Sequence, residues 1–369
     1  MPNLPANPED LTLAEARAFC LEHLPGNIAN AFPADMFEPS RRRGGRPVST
    51  PKIVVLTERE LIHTVNTETY FFHKWNGPSD DVPIPNGVTN PIMVNCDSLD
   101  AIDWSVYGEN DTVMCFDPDH NFILARVAAR SCSELRGERG SMLNQLREVF
   151  RVAGFVKPNI RRGRGRGGTQ TAYYKCWGWR KAYDGLLISE YVYLADANPL
   201  AVEFVDNALK GYVKVAQGML RRVLNRLVNF HWMMHLANFI KLPSFTDGKR
   251  KDGQSGFFTQ VSLACGGYWS NLHTDTDFMY TMLSVLAACA SRDHEVLYYF
   301  AFPLWGISVP LMSGQMIVFD SNTPHCSSNA RTVNDYIFSC YISAKTVAYA
   351  MLEKVQSMMK SDREAMNNL

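Results

Sequence analysis

Between residues 199 and 241 the chain alternates apolar and polar positions at helical spacing. Phe204, Leu209, Val213, Ala216, Leu220, Val223, Leu224 and Leu227 recur every three or four residues, which predicts a long amphipathic helix broken near Asn229. A shorter helix is predicted over 12–24, "TLAEARAFCLEHL", where Thr12 and Glu15 have the spacing of a capping box. From 255 onward the pattern changes. "FFTQVSLACGG", "VLYYFAFPL", "ISVPLM", "GQMIVFD" and "DYIFSCYIS" are short runs rich in β-branched and aromatic residues, separated by Gly, Pro, Asn and Ser. Between 53 and 135, runs such as "IVVLTE" and "FILARVAA" alternate with Pro- and Asp-rich turns, and their order is not readable. Helices followed by short strands with tight turns predict an α+β chain whose C-terminal part is a sandwich or barrel.

At 369 residues, 46% hydrophobic and 20% charged, the chain has the profile of a soluble globular protein with one large domain or two ordinary ones. The formal net charge is zero, but the charge is segregated. From Trp75 to Asp119 there are nine carboxylates and no Lys or Arg, and from Arg151 to Lys181 nine Lys or Arg and no Asp or Glu. Such a chain presents local fields of both signs, and the basic stretch suits a polyanion. The nine cysteines form no C-x-x-C pair and several sit in apolar runs, which predicts free thiols in a reducing compartment. The start "MPNLPANPEDL" lacks signal-peptide architecture and no apolar run approaches twenty residues, so a soluble intracellular protein is expected.

Candidate chemistry enters with "NLHTDTDFMY" (271–280), which places His273 and Asp275 two apart. On a strand, residues i and i+2 share a face, so the pair can converge on one ion; the pair alone equally fits two satisfied polar residues. The stretch "VPLMSGQMIVFDSNTPHCSSN" (309–329) adds a third group, reading as strand, Gly turn, apolar strand, polar turn, then His325. Fifty residues separate Asp275 from His325, room for about four short strands. Two imidazoles and one carboxylate on a β-scaffold make the facial triad that holds Fe(II) with positions left open.

With these residues the sequence resembles the Fe(II)/2-oxoglutarate-dependent dioxygenase superfamily, most specifically in "H-T-D" and "SGQMIVFDSNTPH". The resemblance implies a double-stranded β-helix (jelly-roll) barrel over roughly 255–345, flanked by helices. It also implies a single catalytic domain over 1–369, with a helical and irregular part over 1–254. His273, Asp275 and His325 are then the iron ligands, and 2-oxoglutarate and O₂ the co-substrates. Family members usually carry an Arg or Lys on the final strand, where a guanidinium pairs bidentately with the distal carboxylate of 2-oxoglutarate. Here that strand has no basic residue; Arg331 precedes it and Lys345 follows it. Arg331 is the preferred candidate, Lys345 the second, and ascorbate the alternative reductant if neither serves.

The substrate is read from two basic loops, near 40–52 and 159–170. "NIRRGRGRGGTQ" supplies Arg161, Arg162, Arg164 and Arg166, and "RRRGGRP" supplies Arg41, Arg42, Arg43 and Arg46. Flexible Arg/Gly runs suit phosphate contacts and minor-groove insertion. Tyr173, Tyr174, Trp177 and Trp179 then interleave with Lys175, Arg180 and Lys181, as in surfaces that stack bases and hold the backbone. The plain alternatives are a solvated loop and core aromatics. Layout and basic loops together are similar to the TET and base-J-binding-protein clade. That resemblance implies a nuclear enzyme that oxidises a methylated base such as 5-methylcytosine in double-stranded DNA. Two other readings stay open: a hydroxylase of a protein or small molecule, and a nucleic-acid-binding protein on an inactive barrel. His294 and "DPDH" (117–120) read as turns, and Tyr280 and Trp305 as core.

Overall fold

The computed structural model of the chain describes residues 51–57, 69–72, 92–95, 99–107, 111–119, 121–127, 140–152, 173–181, 188–191, 199–224, 227–246, 256–275, 277–328 and 330–367. The helix expected at 12–24 and both basic loops (apart from their ends at Pro51 and Lys52) lie outside these residues. The N-terminal portion contributes strands β1 (Lys52–Val55), β2 (Thr69–Phe72), β3 (Ile92–Asn95), β4 (Val113–Phe116) and β5 (Phe122–Arg126). Helix α1 (Gly140–Val152), strands β6 (Tyr173–Lys181) and β7 (Ile188–Tyr191), and helices α2 (Pro199–Leu224) and α3 (Val228–Phe239) follow. The C-terminal strands are β8 (Gln260–Cys265), β9 (Ser270–His273), β10 (Tyr280–Leu286), β11 (Val296–Phe302), β12 (Ile307–Met312), β13 (Met316–Asp320), β14 (His325–Ser327) and β15 (Tyr336–Tyr341). Helix α4 (Ala344–Asn367) ends the described chain.

Two sheets carry the architecture. A nine-stranded sheet has the order β1-β4-β5-β13-β10-β15-β8-β6-β7, and a four-stranded sheet the order β12-β11-β14-β9. The large sheet is covered on both faces, which explains why β10 is buried at all seven positions and does not alternate in polarity. Met282 and Leu286 join the cluster with α1, α2 and α3, while Leu283 and Val285 join the cluster with β11 and β12 of the small sheet. One core therefore lies between sheet and helices, and a second between the two sheets. β12 is an edge strand, where Pro310 removes no ladder hydrogen bond that a neighbour needs.

Helix α2 turns one stripe inward: Val205, Leu209, Tyr212, Val213, Ala216, Leu220 and Leu224 are buried, each large aliphatic contributing about 1.5–3 kcal/mol on burial. α2 ends at Leu224 and α3 begins at Val228, so the break comes before Asn229. α1 docks Phe150 flat on Tyr336 of β15, ring centroids 3.7 Å apart. It is pinned further by Arg147, which ion-pairs with Asp293 and donates from Nε to the carbonyl of Ala287 at 2.9 Å.

The expectation of a helical and irregular part up to 254 is corrected in one respect. Strands β1, β4, β5, β6 and β7 belong to the same sheet as β8 and β10. β4 and β5 are buried at every position, and a short unbroken apolar run carries no period that separates a buried strand from a helical turn. Among the described residues, no helix is long and apolar enough to cross a membrane.

Candidate metal centre

β9 and β14 are antiparallel neighbours in the small sheet, and their register sets His325 directly opposite His273. The two imidazole centroids are 4.5 Å apart. Asp275 lies just past the end of β9, so strand alternation alone does not aim it. Its N–H donates to the carbonyl of Ser321 at 3.0 Å, tying it to the turn that leads from β13 into His325. Ser321 Oγ in turn donates to the carbonyls of Asp277 at 2.9 Å and Met279 at 3.1 Å. Met279 itself has φ +64°. The loop carrying Asp275 and the turn before His325 are thus one hydrogen-bonded unit.

The donors converge. Asp275 Oδ1 is 3.5 Å from His273 Nε2, and Asp275 Oδ2 is 3.3 Å from His325 Nε2. Ligand atoms of all three lie within 4.8 Å of one another. Two donors about 2.1 Å from one ion and at right angles lie about 3 Å apart, so the set has the span of a single first-row ion. His325 Nδ1 is 2.8 Å from the carbonyl of Thr323. A carbonyl only accepts, so Nδ1 carries a proton, and in the neutral form of the ring Nε2 presents its lone pair toward Asp275. A lone pair facing a carboxylate is unfavourable between the two acceptors and is relieved by a cation. The residues present fit Fe(II).

Packing holds this geometry. His325 is 2% exposed, with Phe300 stacked on it at 5.3 Å and Phe319 at 4.8 Å between centroids. The His273 and Asp275 side chains keep 27% and 30% exposure, so the centre opens to solvent on their side. Burial alone would raise the Asp275 carboxyl, but when the imidazoles are protonated their Nε2–H hydrogen bonds and charge outweigh it and hold the carboxyl well below the usual carboxylate range.

The other predicted residues are placed as follows where the structure describes them. Arg331 is exposed and sits 3.3 Å from Glu295, with its N–H on the carbonyl of Leu297. The pairing of Ala301 with Cys326 sets His325 across from Phe302, five residues along β11 from Leu297 and roughly 16 Å at about 3.3 Å per residue. Lys345 is exposed in the first turn of α4. Lys175 lies in β6 opposite Leu263. Arg41, Arg42, Arg43, Arg46, Arg161, Arg162, Arg164 and Arg166 fall outside the described residues. Trp177 and Trp179 are 5% and 8% exposed in the helix-side core, and Trp179 Nε1 donates to the carbonyl of Ser244 at 3.0 Å. They follow the core reading, not base stacking. Tyr280 and Trp305 are buried and His294 exposed, as expected. Residues overlooked in the sequence are Ser321 and Thr323, whose only signal is the polar turn before His325, and Phe300 and Phe319, which read simply as strand.

No family model and no curated protein matches the chain. Solved structures do. One is NgTET1 in complex with 5mC DNA, at TM-score 0.41 and 10% identity over 65% of this chain and 80% of that one. A second is a prolyl hydroxylase from Trichoplax adhaerens in complex with a hypoxia inducible factor peptide fragment, at TM-score 0.30 and 14% identity over 60% and 91%. A third is an oxidoreductase of the 2OG-Fe(II) oxygenase family from Burkholderia pseudomallei, at TM-score 0.29 and 12% identity over 59% and 91%.

Proposed function

We propose that this chain is an Fe(II)- and 2-oxoglutarate-dependent dioxygenase that oxidises a methylated base, such as 5-methylcytosine, in double-stranded DNA. The observation that carries the proposal is the convergence of His273, Asp275 and His325, with the His325 tautomer set by Thr323. The strand order supports the barrel reading. Strands β8, β10, β13 and β15 fall in the large sheet, and β9, β11, β12 and β14 in the small one. These eight are read as a double-stranded β-helix with the triad at one end.

In this reading the two imidazoles and Asp275 would hold the metal. Bound iron, with 2-oxoglutarate and O₂, supplies the oxidising power. The chain's own residues do the rest. Thr323 keeps the His325 proton on Nδ1, and the ionised Asp275 balances the metal's charge. Phe300 and Phe319 keep water from the inner side. Substrate enters from the exposed side of His273 and Asp275. A methyl group on a stacked base cannot reach that position, so the nucleotide is flipped out of the duplex. The Arg/Gly segments follow the phosphates. Arg331 and Lys345 are the basic residues put forward for the co-substrate's distal carboxylate.

A hydroxylase of a protein or small molecule is the second reading, favoured by the core placement of Trp177 and Trp179, which removes two of the four aromatics offered for stacking. The experiment is incubation of the purified chain with Fe(II), 2-oxoglutarate and methylated or unmethylated duplex DNA, followed by nucleoside mass spectrometry. An oxidised base that needs all three components is expected. Succinate release without any change in the DNA would move the enzyme to the second reading.

A further inference from the structure

A cavity of about 260 Å³ lies at the seam between the edge strand β12 and strand β5, lined by Trp104, Tyr107, Arg126, Pro310, Met312 and Gln315 among others. The register pairs Arg126 with Ile317 at the start of β13, whereas the metal centre is held by Ser321 beyond that strand's end. Four residues separate the two points, roughly 13 Å at about 3.3 Å per residue. The cavity is therefore distinct from the triad.

Arg126 is the unusual residue there. It is 8% exposed, and its guanidinium donates from Nη2 to the carbonyl of Tyr107 at a long 3.3 Å. Its Cζ lies 4.8 Å from the centroid of the Trp104 ring, and that indole is fixed by Nε1 donating to the carbonyl of Ser308 at 2.8 Å. A guanidinium has five N–H donors and does not shed its proton. Among the described residues, the Tyr107 carbonyl satisfies one of the five, which leaves donors for a guest in the cavity. Burial disfavours the charged guanidinium, and the through-space attraction of Asp111 offsets this only in part. Asp103, another carboxylate among the described residues of this segment, accepts from Ser105 at 2.6 Å. A buried cation of this kind calls for a counter-anion. The other walls are mostly Trp, Tyr, Pro, Val and Met; the Ser105 hydroxyl among them is spent on Asp103, and the Gln315 carboxamide is anchored through Oε1 to the N–H of Met312 at 2.9 Å. Such walls take a flat apolar body while the fork takes a carboxylate.

We infer that this cavity binds a small organic carboxylate with a flat apolar body: its carboxylate on the Arg126 guanidinium, its body between Trp104 and the Met312–Gln315 turn. The test uses the full chain without added metal, and benzoate as probe, by isothermal titration calorimetry. Benzoate is expected to bind at least tenfold more tightly than its uncharged counterpart benzyl alcohol and than inorganic phosphate. Arg126→Met should weaken benzoate at least tenfold while leaving Co(II) binding at the triad unchanged, which also shows that the variant is folded. Trp104→Leu, further from the strand core, should weaken benzoate with Arg126 intact. Absence of benzoate binding to wild type, benzyl alcohol or phosphate binding as tightly, or benzoate binding unchanged in metal-competent Arg126→Met would each overturn the assignment. Because no iron, co-substrate or DNA enters this measurement, its failure is separable from failure of the oxygenase reading.

Discussion

Asp275 is the residue on which the centre turns. It is the one carboxylate between two imidazoles, and its backbone is fixed by Ser321. Asp275→Ala should abolish Fe(II) binding and activity while leaving the circular-dichroism spectrum nearly unchanged, since the side chain is partly exposed and outside the core clusters. Its depressed carboxyl also gives a stability signature in metal-free protein. A carboxyl held below its ordinary value stabilises the fold above that value, about 3.9, and the contribution is lost as pH falls from there toward the folded value. Urea titrations of wild type against Asp275→Asn should therefore converge on acidification below about pH 4; a gap that widens on acidification would contradict the assignment. Residue chemistry was partly legible in the sequence. The H-T-D spacing picked out two of the three side chains that converge, but for an incomplete reason. Asp275 reaches the site through a turn hydrogen bond after the strand has ended, and a Ser321 tether some 46 positions on leaves no periodic mark.

Among the elements, the strands that carry the triad were readable because each is bounded by a turn. β12, the Gly314 turn at φ +74°, β13 and the polar turn before β14 follow the expected order. Four strands, β10 to β13, separate Asp275 from His325, as their spacing predicted. Less legible was the extension of the sheet by β6, whose aromatics and cations imitate a binding surface although its Trp residues face the core. β6 packs so closely on the segment leading into β8 that Gly178, at φ +126°, would place a Cβ 2.2 Å from the carbonyl oxygen of Thr259. Gly178→Ala should destabilise the chain by about 2–4 kcal/mol in urea unfolding. Arg331 pairs with Glu295, and its N–H donates to the carbonyl of Leu297, five residues along β11 from the position across from His325. As the first residue put forward for the distal carboxylate, Arg331 gives a direct test: Arg331→Lys should raise the KM for 2-oxoglutarate tenfold or more through loss of the bidentate fork, and an unchanged KM would pass the role to Lys345 or to another reductant.

For the molecule as a whole, a net charge of zero conceals two blocks of opposite sign. Between Arg151 and Lys181 no carboxylate neighbours Arg161, Arg162, Arg164 and Arg166 in sequence, and self-repulsion among them is relieved by a polyanion. Replacing all four by Ala should weaken binding to duplex DNA nearly uniformly across sequences. It should also lower the slope of log K against log salt by up to about 0.9 for each phosphate left unneutralised. Equal slopes would leave these arginines as a solvated segment and favour a non-nucleic-acid substrate. Composition could locate such a block but could not place it relative to the metal centre, because an Arg/Gly run has no apolar period that ties it to a core.

The oxygenase reading stands or falls with His273, Asp275 and His325 forming one metal centre. Anaerobic equilibrium dialysis of the full chain and of His273→Ala, Asp275→Ala and His325→Ala against Fe(II), with bound iron measured by mass spectrometry, tests this without any substrate. One ion per wild-type chain and loss of binding in each variant are predicted; wild-type stoichiometry retained in Asp275→Ala would contradict it.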